Sequence, residues 1–209
     1  MSYPIPHGPP NVEYCRHDYP TIVYVPKLPF VNLFHRLRYL KFKHQLTYLG
    51  KNTVFQPSVA IYNPKTVSIG NYCLIDRNVI IEGNLKVGNN THLCANTLYA
   101  GRGGITIGNY TGIAFGTAVH AGVDLPDMKL VGPLAPEWAR SVSREPVSIG
   151  SNVQIGSNCI ILSGATIPND CIIGSLSLVR GKDVLEEGYI YAGIPVKKIR
   201  RRYECEQST

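Results

Sequence analysis

The sequence predicts an all-β fold, a left-handed parallel β-helix of hexapeptide repeats, with a short N-terminal α-helical cap and a long loop inserted at about residues 121–148. Three observations predict it. Apolar residues recur every six positions, the fifth residue of each six is usually small or β-branched, and Gly-Asn or Gly-Ser pairs punctuate the blocks. A lone strand would alternate with period two and an amphipathic helix would repeat near 3.6, so a period of six means a short strand, a corner and a return.

From residue 69 the blocks read IGNYCL, IDRNVI, IEGNLK, VGNNTH and LCANTL. After a slip of register they resume as IGNYTG, IAFGTA and VHAGVD, and after a longer break as IGSNVQ, IGSNCI, ILSGAT, IPNDCI, IGSLSL and VRGKDV. The first residue of a block should point inward, because strand side chains alternate. The fifth (Cys73, Val79, Thr91, Thr97, Thr111, Thr117, Val153, Cys159, Ala165, Cys171, Ser177) should be small because corners crowd the interior; Leu85 and Asp183 are exceptions. The Gly-Asn and Gly-Ser pairs are expected to supply corners needing positive φ. Three strands make one coil of about 18 residues, and stacked coils make a solenoid.

The remaining elements follow in chain order. Residues 1–29 are proline-rich and read as an extended arm with no signal-peptide apolar run. The segment Phe30–Tyr48 predicts one helix, with Phe30, Leu33, Phe34, Leu37 and Leu40 on its apolar face and His35, Arg36 and Lys43 elsewhere. That helix would cover the open first coil; a basic amphipathic helix also suits peripheral contact with an anionic membrane. Residues 53–68 predict a first imperfect coil. The expected organisation is an arm and capping helix over 1–50, the β-helix over 51–190, and a basic tail over 191–209.

The chain has 209 residues, 44% of them hydrophobic, with 20 Gly and 15 Pro against 2 Met and 1 Trp, a mix that favours short strands and turns over long helices. The net charge of +7 sits at the ends: +4 over residues 1–50 and +3 over 196–206, with a neutral body. Basic ends suit an anionic small molecule or surface, or simply solvation. Nucleic-acid binding is disfavoured, because the cations are not interleaved with an aromatic platform. Six cysteines show no metal-ligand spacing, and Cys73, Cys159 and Cys171 read as reduced core residues, which fits the cytosol.

The blocks, the ending AGIPVKKIR (192–200) and the insertion before REPVSIGSNVQIG resemble the hexapeptide-repeat acyltransferases over about residues 33–202. The pairing of that ending with a loop after a His-bearing coil is similar to the branch that O-acetylates sugars, including galactoside and maltose acetyltransferases and polysaccharide-decorating relatives. The resemblance implies acetyl-CoA as donor, a sugar or a nucleotide- or lipid-linked saccharide as acceptor, and a cytoplasmic homotrimer with active sites between subunits, at the inner face of the membrane where the acceptor is lipid-linked. It implies a histidine base, which falls on His120 in GTAVHAGVD. Transfer to a hydroxyl needs a base, an oxyanion donor and a track for the long coenzyme arm.

Asp124, with Glu137 as second candidate, is the nearest carboxylate to fix the His120 tautomer. Asn96 stands where the family often carries a sugar-contacting asparagine, although a corner residue there does as well. Trp138 suits stacking on a sugar or anchoring the loop. The resemblance runs pantetheine past Ser157 and Ser175, with the coenzyme phosphates meeting Lys182, Lys197 and Arg200. Where many relatives carry an aromatic residue this chain has Gln154. No metal is expected: a γ-class carbonic anhydrase site needs three histidines, and among six only His92 and His120 fall in the coils. Two other readings stay open, an amino-sugar N-acetyltransferase and a non-catalytic scaffold.

Overall fold

The computed structural model describes residues 33–124, 130, 132 and 134–203; the arm at 1–29, Cys15 and Cys205 lie outside them. The chain winds as a parallel β-helix with three faces. The second face shows the stack plainly: Val54–Phe55, Leu74–Ile75, His92–Leu93, Gly112–Ile113, Gln154–Ile155, Ile172–Ile173 and Tyr189–Ala192 pair in parallel, each with the next coil. Strands Ile80–Val87 and Leu98–Ile107 run through the corner between the third face and the first, joining those two faces into one ten-stranded sheet.

The first residue of every block points inward. Ile69, Ile75, Ile81, Leu93, Ile113, Val119, Ile155, Ile161, Ile173 and Val179 are fully buried and form the core. The fifth residue is buried beside it, and its chemistry follows from hydrogen bonding as well as space. Thr53, Thr91, Thr111 and Thr117 donate to the carbonyl oxygens of Gly70, Gly108, Gly150 and Gly156, each in the next coil. Cys73, Cys159 and Cys171 aim their thiols at Gly88, Gly174 and Glu186 in the same way. Of the two exceptions, Leu85 is buried at a bulge, and the Asp183 carboxylate accepts from the backbone N–H and guanidinium of Arg180, which holds its pKa below the usual carboxylate value.

The corners correct one sequence expectation. Positive φ falls on the fourth residue of the block, as at Asn78, Asn90, Asn96, Asn152 and Asn158, which lie between +54° and +58°. Asparagine tolerates this conformation better than most residues. The glycine in second position serves close approach instead: a Cβ on Gly70 would lie 2.5 Å from the Gly88 carbonyl oxygen. The third residue forms a ladder, in which Asn71, Asn89 and Asn109 each accept from the backbone N–H of the preceding coil at 2.8 Å. These bonds satisfy corner amides that no strand partner reaches.

Helix α1 (Leu33–Gln45) covers the first coil, but not with the predicted face. Phe42 is 6% exposed and packs on Phe55 with ring centroids 4.4 Å apart, Leu46 is buried, and His35 Nδ1 meets the Phe55 carbonyl. Leu33, Phe34, Leu37 and Leu40 face outward, 49–67% exposed. The cap is set by the Phe55 ring that the end coil presents, which no count of apolar residues along the helix records. At the other end, Lys197–Arg201 folds back antiparallel on Tyr189–Ala192, so the boundary expected at 190 falls inside a strand. Among the described residues no helix is long and apolar enough to cross a membrane.

Candidate active site

Coils that repeat every 18 residues build a plain wall, so departures from that length mark where something else is built. The asparagine ladder measures them: successive rungs are 18 residues apart from Asn71 to Asn89, 20 from Asn89 to Asn109, 42 from Asn109 to Ser151, and 18 again from Ser151 to Asn169. The end-coil rung from Lys51 to Asn71 is also 20, its two extra residues falling between Tyr62 and Val67; the two later excesses fall at the same corner, between the third face and the first, after Tyr99 and after Val119. The first is the Gly101–Gly104 excursion. The second is the long loop, whose described part includes the antiparallel pair Val123–Asp124 with Val142–Ser143 and the turn Glu137–Ala139. Ser163 Oγ accepts from the Glu145 N–H and donates to the Glu145 carbonyl, fixing the loop's return.

His120 stands at this corner. It ends the strand Ala118–His120, opposite Ala100 of the coil below, and is half-buried. Burial pushes its pKa below the ordinary 6.5, so the imidazole is neutral at pH 7, the form a general base needs. Asp124 lies beside it in sequence, but its carboxylate is taken by Arg140, with Nη2 at 2.5 Å and Nε at 3.2 Å. Trp138 is 83% exposed in the loop turn; Glu137 shares that turn, and its side chain lies outside the described set.

The other predicted residues lie apart from His120. Asn96 takes the left-handed corner conformation and accepts from Asn78 Nδ2, at the corner between the second and third faces. Ser157 and Ser175 stack at that same corner two coils further on, the Ser157 N–H donating to Ser175 Oγ. Lys182 follows the inward Val179 at the His120 corner, nearer the C-terminal end, and lines a cavity of about 270 Å³ with Glu186 and Lys198. Lys197 and Arg200 lie on the final strand, exposed.

Two features were not anticipated. A carboxylate-oriented imidazole does exist, but as His92 Nε2 with Asp76 Oδ2 at 2.9 Å, with Cys94 Sγ 3.7 Å from the ring nitrogens. One donor atom from each of the three comes within 4.8 Å of the others. The signal was present as an 18-residue repeat in register, since Asp76 and Cys94 follow the inward Ile75 and Leu93. The second is a cavity of about 380 Å³ at the His120 corner, lined by Arg102, Arg140 and Arg144 together with Asp124. Its only sequence trace was the slip of register that carries Arg102.

The match to the bacterial transferase hexapeptide (six repeats) family covers residues 146–181. The structure is similar to AntD, an N-acyltransferase from Bacillus cereus solved with dTDP and 3-hydroxybutyryl-CoA: TM-score 0.74 and 34% identity over 80% of this chain and 88% of that one. A variant of AntD solved with dTDP-4-amino-4,6-dideoxyglucose and coenzyme A matches at TM-score 0.75. A maltose O-acetyltransferase from Clostridium difficile 630 shares the fold at TM-score 0.54 and 16% identity over 84% of this chain and 80% of that one. Among curated proteins, the putative lipopolysaccharide biosynthesis O-acetyl transferase WbbJ of Escherichia coli K12 is 33% identical over 100 residues, 46% of this chain; the match spans half of WbbJ's length.

Proposed function

The chain belongs to the hexapeptide-repeat acyltransferases, and on that premise we propose that it transfers an acetyl group from acetyl-CoA to a hydroxyl of a nucleotide- or lipid-linked sugar. The observation that carries this reading is the half-buried His120, whose burial favours the neutral imidazole, at the one corner where the coils depart from 18 residues. The imidazole takes the hydroxyl proton as the oxygen attacks the thioester carbonyl carbon. The carbon–sulfur bond then breaks, and the proton passes to the departing coenzyme thiolate. Ser157 and Ser175 lie along the coenzyme arm in this reading, and Lys182, Lys197 and Arg200 meet its phosphates. Asn96, at the corner between the second and third faces, would reach the acceptor only across a subunit boundary, which suits a homotrimer with shared sites at the cytoplasmic face of the membrane; Trp138 and Glu137 would meet the acceptor from the loop inserted at the His120 corner.

A second reading, transfer to an amine, is favoured by one specific observation: AntD, 34% identical over 88% of its chain, is an N-acyltransferase. The two separate chemically. A sugar hydroxyl needs a base to become nucleophilic at pH 7, whereas the free-base fraction of an amine attacks unaided. The test is thiol release from acetyl-CoA with nucleotide sugars differing only in a hydroxyl or an amino group, for the wild type and His120→Ala. Hydroxyl transfer that falls at least about a hundredfold in the variant supports the first reading. Turnover of the amine alone, little changed by the substitution, replaces it with the second.

A further inference from the structure

Asp76, His92 and Cys94 form a cluster that the transfer reaction does not use. It lies on the second face and at the corner that follows it, whereas His120 stands at the corner between the third face and the first. Asp76 and Cys94 follow the inward Ile75 and Leu93, which pair in register, and His92 precedes Leu93 on the outward side of its strand. One coil therefore brings the carboxylate and the next brings the imidazole and the thiol.

The repeat does not ask for these side chains. In the four later coils the residue after the inward one is Ala114, Gly156, Gly174 and Ala192, so this corner is otherwise small. Cys73, Cys159 and Cys171 are buried and aim their thiols at carbonyl oxygens of the neighbouring coil. Cys94 is half-buried, and its thiol lies instead against the His92 ring, 3.7 Å from each ring nitrogen. The next coil sets Gly112 opposite His92, and the space a Gly112 side chain would fill is taken by the neutral Gln154 carboxamide, whose oxygen lies 2.6 Å from a Cβ built there.

The cluster offers one oxygen, one nitrogen and one sulfur, all within 4.8 Å of one another. His92 Nε2 lies 2.9 Å from Asp76 Oδ2 and 3.7 Å from Cys94 Sγ. A tetrahedral zinc ion with ordinary bond lengths separates nitrogen from oxygen by about 3.4 Å and nitrogen from sulfur by about 3.6 Å, so the atoms need to move by about half an ångström. Equal distances to both ring nitrogens also put the sulfur over the ring face, so loading turns the ring to aim Nε2 between the two anions. The His92 side chain is 44% exposed, and that turn meets no packed wall on its outer side. Carboxylate and thiolate repel each other, and a dication between them offsets this. Magnesium and calcium favour oxygen alone, whereas a mixed set with sulfur suits zinc. A thiol nucleophile with an oriented base would use the same three groups, but burial first and Asp76 second push the Cys94 thiol above its ordinary 9.0, the opposite of activation.

We propose that Asp76, His92 and Cys94 hold a zinc ion that ties two successive coils together and keeps one coordination position open to water. The Asp76 and His92 side chains, 27% and 44% exposed, leave that position facing solvent. Three histidines and paired cysteines are the usual zinc signatures in a sequence, and one Asp, one His and one Cys spread over two coils match neither.

The untagged full chain, stripped with a chelator and loaded with zinc or cobalt(II), tests this. The expected result is one ion per chain, a thiolate-to-cobalt charge-transfer band that excess magnesium does not remove, and a melting temperature raised by about 5–10 °C with zinc at about a hundredfold excess over its dissociation constant. Cys94→Ser should abolish the band, and both it and His92→Gln should weaken zinc binding at least about tenfold. Zinc should also shield Cys94 from alkylation in the wild type, read by peptide mass spectrometry, a measurement that needs no variant to fold. A wild type that binds neither ion overturns the proposal. So does a cobalt band that survives Cys94→Ser, or alkylation of Cys94 at the same rate with and without zinc, since either puts the ion elsewhere.

Discussion

Thr117 is a place where hydrogen bonding and space-filling predict opposite outcomes. Its side chain is fully buried, its hydroxyl donates to the Gly156 carbonyl at 2.9 Å, and the same oxygen accepts the Cys159 N–H at 3.1 Å. Valine matches threonine in shape, and Val79 and Val153 occupy the equivalent position in other blocks, so Thr117→Val meets no steric barrier. It does strip two buried backbone groups of that partner. Each orphaned group costs about 1–3 kcal/mol, partly offset by the more apolar side chain, so the expected net loss is about 2 kcal/mol. Thr117→Ser keeps both bonds and loses one methyl group, for about 1 kcal/mol. At a slope of roughly 2–4 °C per kcal/mol for a chain of this size, valine should lower the melting temperature by about 4–8 °C and serine by less. Thermal and urea unfolding at one fixed protein concentration measure this, since assembly would make the midpoint concentration-dependent. A valine variant as stable as the serine variant would refute the hydrogen-bonding account and leave corner crowding as the whole reason for small fifth residues.

Phe42→Ala should release α1 from the first coil at about 3–5 kcal/mol, the usual cost of truncating a buried phenylalanine, whereas Leu37→Ala, at a residue 52% exposed, should change stability by less than about 0.5 kcal/mol. Hydrogen exchange over 33–45 reads both, and the reverse order would restore the face expected from sequence. For His120, the depressed pKa predicts kcat/KM that is flat above about pH 7 and falls on the acid side with an apparent pKa below 6.5. The sign for stability agrees: a folded-state pKa below the unfolded value means its contribution is full above 6.5 and is lost as pH falls through the folded pKa. An acid limb centred at or above 6.5 would remove His120 as the titrating base.

The solenoid was legible because its cause is local and repeated. One inward residue per six, fourteen times over, with a small or β-branched fifth residue in all but a few blocks, leaves few other folds open. The exceptions were legible only as exceptions. Nothing in the string says that Asp183 satisfies the Arg180 N–H, or that second-position glycines answer to the coil above rather than to their own φ. The helix was visible but its orientation was not, because hydrophobic count favours Leu33, Phe34, Leu37 and Leu40 while the end coil offers a single ring, Phe55, to stack upon. The candidate site divides the same way. His120 and the loop showed as a histidine beside a break in the period. The pairing of Asp124 with Arg140 and the gathering of Arg102, Arg140 and Arg144 depend on where a loop of irregular length returns, which periodicity does not encode.

That division has a physical origin in how a solenoid can carry function at all. Each coil contacts only its neighbours, so regular coils present regular stripes, and a concave site needs chain that leaves the stripe and comes back. Two insertions at different corners would build two shallow ledges. Here the two that follow Tyr99 and Val119 fall at one corner on successive coils, so the Gly101–Gly104 excursion becomes the floor and the long loop becomes the wall. The glycines of the excursion follow from this arrangement. Gly101 and Gly103 would each place a Cβ within 2.5 Å of the neighbouring coil's backbone, so the floor can be this close to the loop only without side chains. Arg102, set between them, is then the one side chain of that stretch with room to reach outward, and it reaches the cavity beside the strand that ends at His120.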